Sequence, residues 1–462
     1  MSGGLEELRG RVLGEERLWR LILWLAAPLI VSAGLSSLNE LADTFWLSRL
    51  GSAALGTPTV SWPYRGILMS ISFGVASSAS ALIGQYVGAG RFEEANRALA
   101  TIAAVLFAVT VPGTVLLSLG IPFYLDATGV PPDIRPLAAV YLGVLVLSTP
   151  FTAAFMLYSF ALSAAGDTKT PTKISALAAV TNFLLDPLFI FPLGLGVLGA
   201  GLATAVADAV SGGYALLDLA RGRHGLRLRL ARPDPSLLRL LLRVSAPMTG
   251  QRLGMNLGFI AMTGIVNGLG TPVVAAYAIG QVVLGIDRII AFPVARATGV
   301  VVAQSLGAGL RDRALKAART GLLLVVASVS AYIGLLLAAR EEFISLFTSD
   351  PAVAEAAGRM LLIFGPSTMG FNLLIMANVI ARSSGHTLLV SLLGVARLWL
   401  LRIPLSYLLA YRLGMGDTGL WTGMAVSNYA TGAAAAAWIL HGGWARPVID
   451  GASPSRRRRA RV

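Results

Sequence analysis

GQYVGAGR at residues 84–91 returns 219 positions later as AQSLGAGL at 303–310, with Gly88 and Gly90 falling on Gly307 and Gly309 (307 − 88 = 219). The same offset carries Pro28 onto Pro247, Gly51 onto Gly270 and Gly166 onto Gly385. A long period held at turn-forming and helix-bending residues marks a duplicated unit. Between these punctuation marks both halves are almost wholly apolar. Two copies of one helical bundle are therefore expected, and function is to be sought where the copies differ.

With 55% hydrophobic and 13% charged residues and a mean hydropathy of +0.73, the chain is too apolar for an ordinary soluble domain. A membrane-crossing helix needs roughly 20 mainly apolar residues. Six such stretches fit the first half, at about 21–47, 57–84, 96–119, 136–163, 171–193 and 197–220. Six more fit the second, at about 237–267, 273–300, 315–338, 354–381, 387–411 and 417–440. The expected fold is an all-α integral membrane protein with 12 transmembrane helices in two pseudo-symmetric six-helix lobes. The first and seventh stretches exceed an upright span, so they should tilt, or kink where Pro28 and Pro247 remove a backbone donor. A repeated bundle in lipid, able to rock about a central cavity, is the pattern of a secondary transporter.

The net charge of +14 is not spread evenly. Lys and Arg crowd the connections near 85–97, 164–173, 221–239, 304–319 and 382–387, and the tail Arg456, Arg457, Arg458, Arg459 and Arg461; the alternate connections carry few. The positive-inside rule makes the basic set cytoplasmic, with both termini inside a multi-pass plasma-membrane protein. The tail is read as a topology determinant drawn to anionic headgroups, not as a nucleic-acid binder. The expected division is an amphipathic segment (1–20), an N-lobe (21–220), a solvated linker (221–236) containing Pro233 and Pro235, a C-lobe (237–441) and a basic tail (442–462). Glu6, Glu7, Arg9, Arg11, Glu15, Glu16 and Arg17 interrupt any cleavable apolar core, which argues for a helix lying on the membrane surface.

Chemistry of the enzymatic kind finds no support. No cysteine is present, and His224, His386 and His441 are scattered. No cofactor, no metal centre and no enzymatic activity are expected. Ionisable residues inside apolar helices are costly and hence functional candidates. In the first half these are Glu40 and Asp43 beside Asn39, Asp186 beside Asn182, and Asp208 beside Thr204. The second half has Met262 in the register of Asp43 (262 − 43 = 219), with Arg397 and Arg402 in its fifth span. Asn39 and Asp43, Asn182 and Asp186, and Thr204 and Asp208 are each four apart, so three helices can turn polar stripes to one cavity. Carboxyls crowded in such a pocket compete for protons, and their amide and hydroxyl neighbours would equally suit sodium. Asp208 reads as close to the cytoplasmic end of its span, and Glu40 as a partner for Arg65.

At NELADTFWLSRLG (39–51), TNFLLDPLFI (181–190) and GAGLATA (199–205), together with GQYVGAGR and AQSLGAGL, the chain resembles the multidrug and toxic compound extrusion (MATE) transporters, in particular their archaeal DinF-like branch. The resemblance covers essentially the whole chain. It implies a MATE-type fold in which Asp43, Asn182, Asp186 and Thr204 form the coupling-ion network for H+ or Na+, and helix one bends at Pro28. It further implies export of amphipathic, often cationic drugs or metabolites by alternating access. Asn39, Glu40 and Asp208 depart from that branch's pattern and imply a different substrate preference.

Around the cavity, Asn39, Glu40, Asp208, Gln251 and Asn256 are the expected substrate contacts. Asp287 is read as a local pair with its neighbour Arg288, and Gly250, Gly254 and Gly258 as a close-packing face. A rival reading is a flippase for a lipid-linked or polyprenyl-pyrophosphate precursor, which calls for a cationic cavity; Arg252, Arg288, Arg296, Arg397 and Arg402 are its candidates. A single chain acting alone satisfies either reading.

Overall fold

The computed structural model describes residues 3–229 and 234–449; Pro233 and the Arg456 to Arg461 tail lie outside the described residues. The first part of the chain forms α1 (Gly3–Gly14), α2 (Leu18–Ser48), α3 (Ser52–Ser77), α4 (Ala79–Gly88), α5 (Phe92–Ala127), α6 (Arg135–Ala165), α7 (Lys169–Ile190) and α8 (Gly196–Arg221). The second forms α9 (Pro235–Asn267), α10 (Thr271–Gly285), α11 (Arg288–Gly307), α12 (Arg311–Ala338), the short α13 (Arg340–Ser345), α14 (Pro351–Ile363) and α15 (Thr368–Ser384). It ends with α16 (Leu388–Ala396), α17 (Ile403–Tyr407) and α18 (Gly416–His441), with π-helical segments Arg397–Arg402 and Leu408–Arg412 between them.

Among the described residues, ten helical stretches are long and apolar enough to cross a membrane. α9 falls short because Gln251, Arg252 and Asn256 dilute its centre, and α18 because Thr422, Ser427, Asn428, Tyr429 and Thr431 dilute its own. Both still fill the first and last places of the second lobe, and α10 with α11 makes one span, as α3 with α4 does. The result is twelve spans in two lobes of six. Small residues let helices approach closely, as bilayer packing requires. A Cβ on Gly212 would sit 2.3 Å from the Phe151 carbonyl oxygen, and one on Gly432 would sit 2.3 Å from Gly370 Cα.

The repeated glycine-glutamine motif seals the lobes against each other. Gln85 Nε2 donates to the carbonyls of Ser383 (3.0 Å) and Ser384 (3.3 Å), and Gln304 Nε2 donates to the Ala164 carbonyl (2.9 Å). The two bonds are copies of one another: 304 − 85 and 383 − 164 are both 219. A Cβ on Gly88 would lie 2.1 Å from the Gln304 carbonyl oxygen, and one on Gly307 would lie 1.9 Å from that of Gln85. Only glycine permits this crossing. Beyond Asn256, whose Nδ2 donates to Ser70 Oγ at 3.1 Å, no hydrogen bond or ion pair joins the lobes toward their other end among the described residues.

The basic connections gather at the sealed end, and so does α1. Leu5 and Val12, each 1% exposed, enter the N-lobe and C-lobe cores respectively. Arg9 Nε donates to the Gly88 carbonyl (3.0 Å), and Arg313 Nη2 donates to the carbonyls of Val12 (2.7 Å) and Glu15 (2.8 Å). This corrects the expectation of a helix on the lipid surface. Leu5, Leu8 and Val12 form a narrow stripe that fits the space left at Gly225 and Gly166, so protein rather than lipid covers it. The segment after α18 behaves alike: Trp444 packs in the C-lobe core and Ile449 in the N-lobe core.

Candidate functional site

α2, α7 and α8 bring five polar side chains together in the N-lobe, toward the unsealed end: Asn39, Asp43, Asn182, Asp186 and Thr204. Asn182 and Asp186 are buried on one face of α7, four residues apart. Asn39 Nδ2 donates to Asn182 Oδ1, while Asn182 Nδ2 approaches Asp186 Oδ1 and Thr204 Oγ1, each at 3.4 Å. With its amide turned over, Asn182 donates instead to Asp43 Oδ1 at 3.0 Å. The carboxyls of Asp43 and Asp186 lie within hydrogen-bonding reach of each other. Asp186 Oδ2 is buried without a donor. One proton held by either acid would bridge the pair and supply that bond; a sodium ion would satisfy the same oxygens with Asn182 and Thr204 beside it. Tyr141, buried on α6, is a near neighbour of both acids and was not singled out in the sequence, since a lone aromatic in a span carries no charge signal.

The other acids are placed differently. Asp208 is not near a helix end: α8 spans Gly196–Arg221 and sets it midway. Its Oδ2 accepts from Arg65 Nη2 at 2.8 Å and from Ser148 Oγ at 2.8 Å, and Arg65 also donates to Thr152 Oγ1 at 2.7 Å. The charge of Asp208 is thus neutralised inside the lobe, apart from the Asp43 cluster. Arg65 being taken, Glu40 is left exposed beside Asp43 and forms no ion pair among the described residues. In the C-lobe, Asp287 Oδ2 accepts from Asn372 Nδ2 (2.6 Å), with Arg288 beside it on the rim of the same cavity. Nearby, Arg397 Nη1 (3.1 Å) and Arg402 Nη2 (2.5 Å) share Asn428 Oδ1. Gly258 packs against Leu398, as its small-residue face implies.

Two cavities occupy the cleft between the lobes. The first, about 250 Å³, is bordered by Ser32, Ser36, Ser175, Phe292 and Arg296. The second, about 320 Å³, is bordered by Phe73, Gln251, Arg252, Asn256, Phe292 and Arg382. Gln251 and Asn256 thus do border the cleft. Ser32, Ser36, Asn39 and Asp43 fall on one face of α2, so a single helix borders the first cavity and carries one member of the acid pair. The opposite end of α2 is anchored in the other lobe, with Leu21, Ile22, Leu25 and Ala26 inside the C-lobe core. Pro28 lies between these parts. α2 runs unbroken through it, the Trp24 carbonyl loses its helical donor there, and the Pro28 carbonyl accepts from Thr172 Oγ1 at 3.0 Å. Among the described residues no three His, Cys, Asp or Glu side chains converge to hold a metal ion.

Two six-helix lobes closed at one end around a polar cleft define a secondary transporter, not an enzyme. The model of the MatE family matches residues 28–188 and again 247–408, and the chain belongs to that family. The two matches begin 219 positions apart (247 − 28), the offset of the repeat. A probable multidrug resistance protein, YoeA, of Bacillus subtilis is 27% identical over 88% of this chain and 90% of its own. An FAD transporter of Shewanella oneidensis is 28% identical over 86% of this chain and 88% of its own. A MOP superfamily transporter from Pyrococcus furiosus superposes with a TM-score of 0.86 at 20% identity, over 94% of this chain and 97% of that one.

Proposed function

We propose that this chain is a cation-coupled efflux antiporter of the plasma membrane that exports amphipathic organic compounds, with H+ or Na+ entering at Asp43, Asn182, Asp186 and Thr204. One observation carries the reading: Asp43, on the α2 face that also borders the cleft, is paired with Asp186 of α7, whose Oδ2 lacks a donor. Arrival of a proton or sodium ion rearranges the Asn39 and Asn182 bonds that fix α2 to α7. α2 gives way at Pro28, the 250 Å³ cavity changes shape, and cargo leaves on the unsealed side. The basic sealed end, with both termini, faces the cytoplasm by its charge. A multidrug resistance protein and an FAD transporter among the relatives support an organic cargo.

The test is dye efflux from vesicles with an imposed proton or sodium gradient. Gradient-driven efflux that disappears in folded Asp43→Asn supports the reading. Efflux and ion dependence that survive both Asp43→Asn and Asp186→Asn would sink it. The lipid flippase stands as a second reading on one observation, the arginines Arg252, Arg296 and Arg382 around the cleft. Stoichiometric binding of a polyprenyl pyrophosphate, with no dye transport under either gradient, would select it.

A further inference from the structure

The floor of the cleft is basic and aromatic. Arg382 follows directly on the inner side of the seal, since the carbonyls of Ser383 and Ser384 are those held by Gln85. It is only 5% exposed, yet it has no hydrogen bond or ion pair among the described residues and borders the 320 Å³ cavity. Its guanidinium lies 5.2 Å from the Phe73 ring, over which Arg252 also stands at 4.2 Å. Arg296 stands 5.0 Å from the Phe160 ring and reaches only the hydroxyls of Ser159 (3.4 Å) and Ser163 (3.5 Å). Phe73 and Phe160 meet edge to face at 5.5 Å, which joins the three arginines into one cluster drawn from both lobes.

No carboxylate borders either cavity, and none of the three arginines has an acidic partner among the described residues. Like charges held together in a poorly solvated cleft repel, so the cluster is stabilised by whatever anion enters it. The N-lobe acids lie elsewhere, toward the unsealed end. The cleft is therefore polarised, with cation-binding oxygens at the outer end and anion-binding nitrogens at the floor.

Resting on the exporter reading above, we infer that Arg252, Arg296 and Arg382 form an anion-binding subsite, and that the cargo is an organic anion joining a phosphate or carboxylate to an aromatic or apolar body. Guanidinium groups bind such oxyanions in a bidentate fork, and their flat faces, already laid on Phe73 and Phe160, accept a further ring. Opening of the seal would expose Arg382 first, so an anion is captured from the basic side. Expulsion follows when the opposite end binds its cation. This departs from the cationic cargo that the family resemblance implies.

The test compares flavin mononucleotide with riboflavin, one ring system with and without phosphate, and rhodamine 6G as a cation, in reconstituted vesicles under imposed gradients. The nucleotide is expected to be bound and exported about tenfold or more better than riboflavin, the worth of one charge-assisted contact. Arg252→Glu, at an exposed position, should depress nucleotide export by at least about tenfold and raise rhodamine export, a gain that also certifies folding. Arg382→Lys should restore part of what Arg382→Gln loses. Competition by a polyprenyl pyrophosphate in the bilayer would assign the anion to a lipid, and competition by soluble nucleotide alone to a free metabolite; either supports the subsite. Gradient-driven rhodamine export without phosphate preference overturns the subsite and leaves the exporter standing. Nucleotide binding with no gradient-driven export of any compound overturns the exporter and leaves the subsite.

Discussion

Substituting alanine for Gly307 should prise the sealed end apart. The added Cβ would sit 1.9 Å from the Gln85 carbonyl oxygen, where ordinary contact begins at 3.4 Å, so α4 and α11 must separate by about 1.5 Å (3.4 less 1.9). The obstacle is backbone on both sides and cannot be relieved by a rotamer. Such a shift breaks the Gln85 bond to Ser383 (3.0 Å) and its repeat mate from Gln304 to Ala164 (2.9 Å). At about 1 kcal/mol per bond, and up to about 2 where the buried amide stays unpaired, the sealed state loses about 2 to 4 kcal/mol. That is roughly a 30- to 700-fold change in the ratio of sealed to open molecules. Because the chain contains no cysteine, spin labels at Glu93→Cys and Asp312→Cys, exposed and 219 apart, report the gap without other changes. Pulsed dipolar spectroscopy should show the inter-label distance moving to a longer population in Gly307→Ala, and likewise in Gly88→Ala. A folded Gly307→Ala protein with an unaltered distance distribution would refute the reasoning.

Asp208→Asn should lower stability by about 3–5 kcal/mol in a denaturation assay, because Arg65 stays buried and unpaired, yet leave the ion dependence of transport in place. Replacing both partners together by leucine should recover most of that loss. Leu5→Ala should loosen α1 at a cost of about 2–5 kcal/mol, seen as faster proteolysis within residues 3–14, with α2 still protected. Thr204→Val removes a hydroxyl beside Asn182 and should weaken ion activation of transport by about fivefold, one hydrogen bond's worth, measured as the half-saturating ion concentration.

The two lobes were legible because a 219-residue offset recurs at glycine and proline, whose backbone roles do not depend on distant partners. Part of the N-lobe cluster was legible for a similar reason: Asn182 and Asp186 are placed by helical spacing alone, and an acid in an apolar helix draws notice. What spacing cannot show is which distant side chain answers an acid. Arg65 and Asp208 are 143 positions apart, and only the packing of α3 and α8 against α6 shows that they meet. Asp287 was read with its neighbour Arg288 alone, whereas Asn372, 85 positions away, also donates to it. α1 escaped because its apolar stripe is too narrow to distinguish a lipid surface from a protein groove. Arg382 escaped because a basic residue in the last turn of a span reads as a topology signal, and its turn toward the cleft is a tertiary fact.

The central claim is that the Asp43 and Asp186 pair takes up the ion that cargo binding displaces. Addition of a transported compound to the purified protein in weakly buffered detergent, followed with a pH dye and by equilibrium dialysis of radioactive sodium, measures that exchange directly. The account predicts release of protons or of sodium on cargo binding by the wild type, and none by Asp186→Asn that still binds cargo. Equal ion release from Asp186→Asn would contradict it.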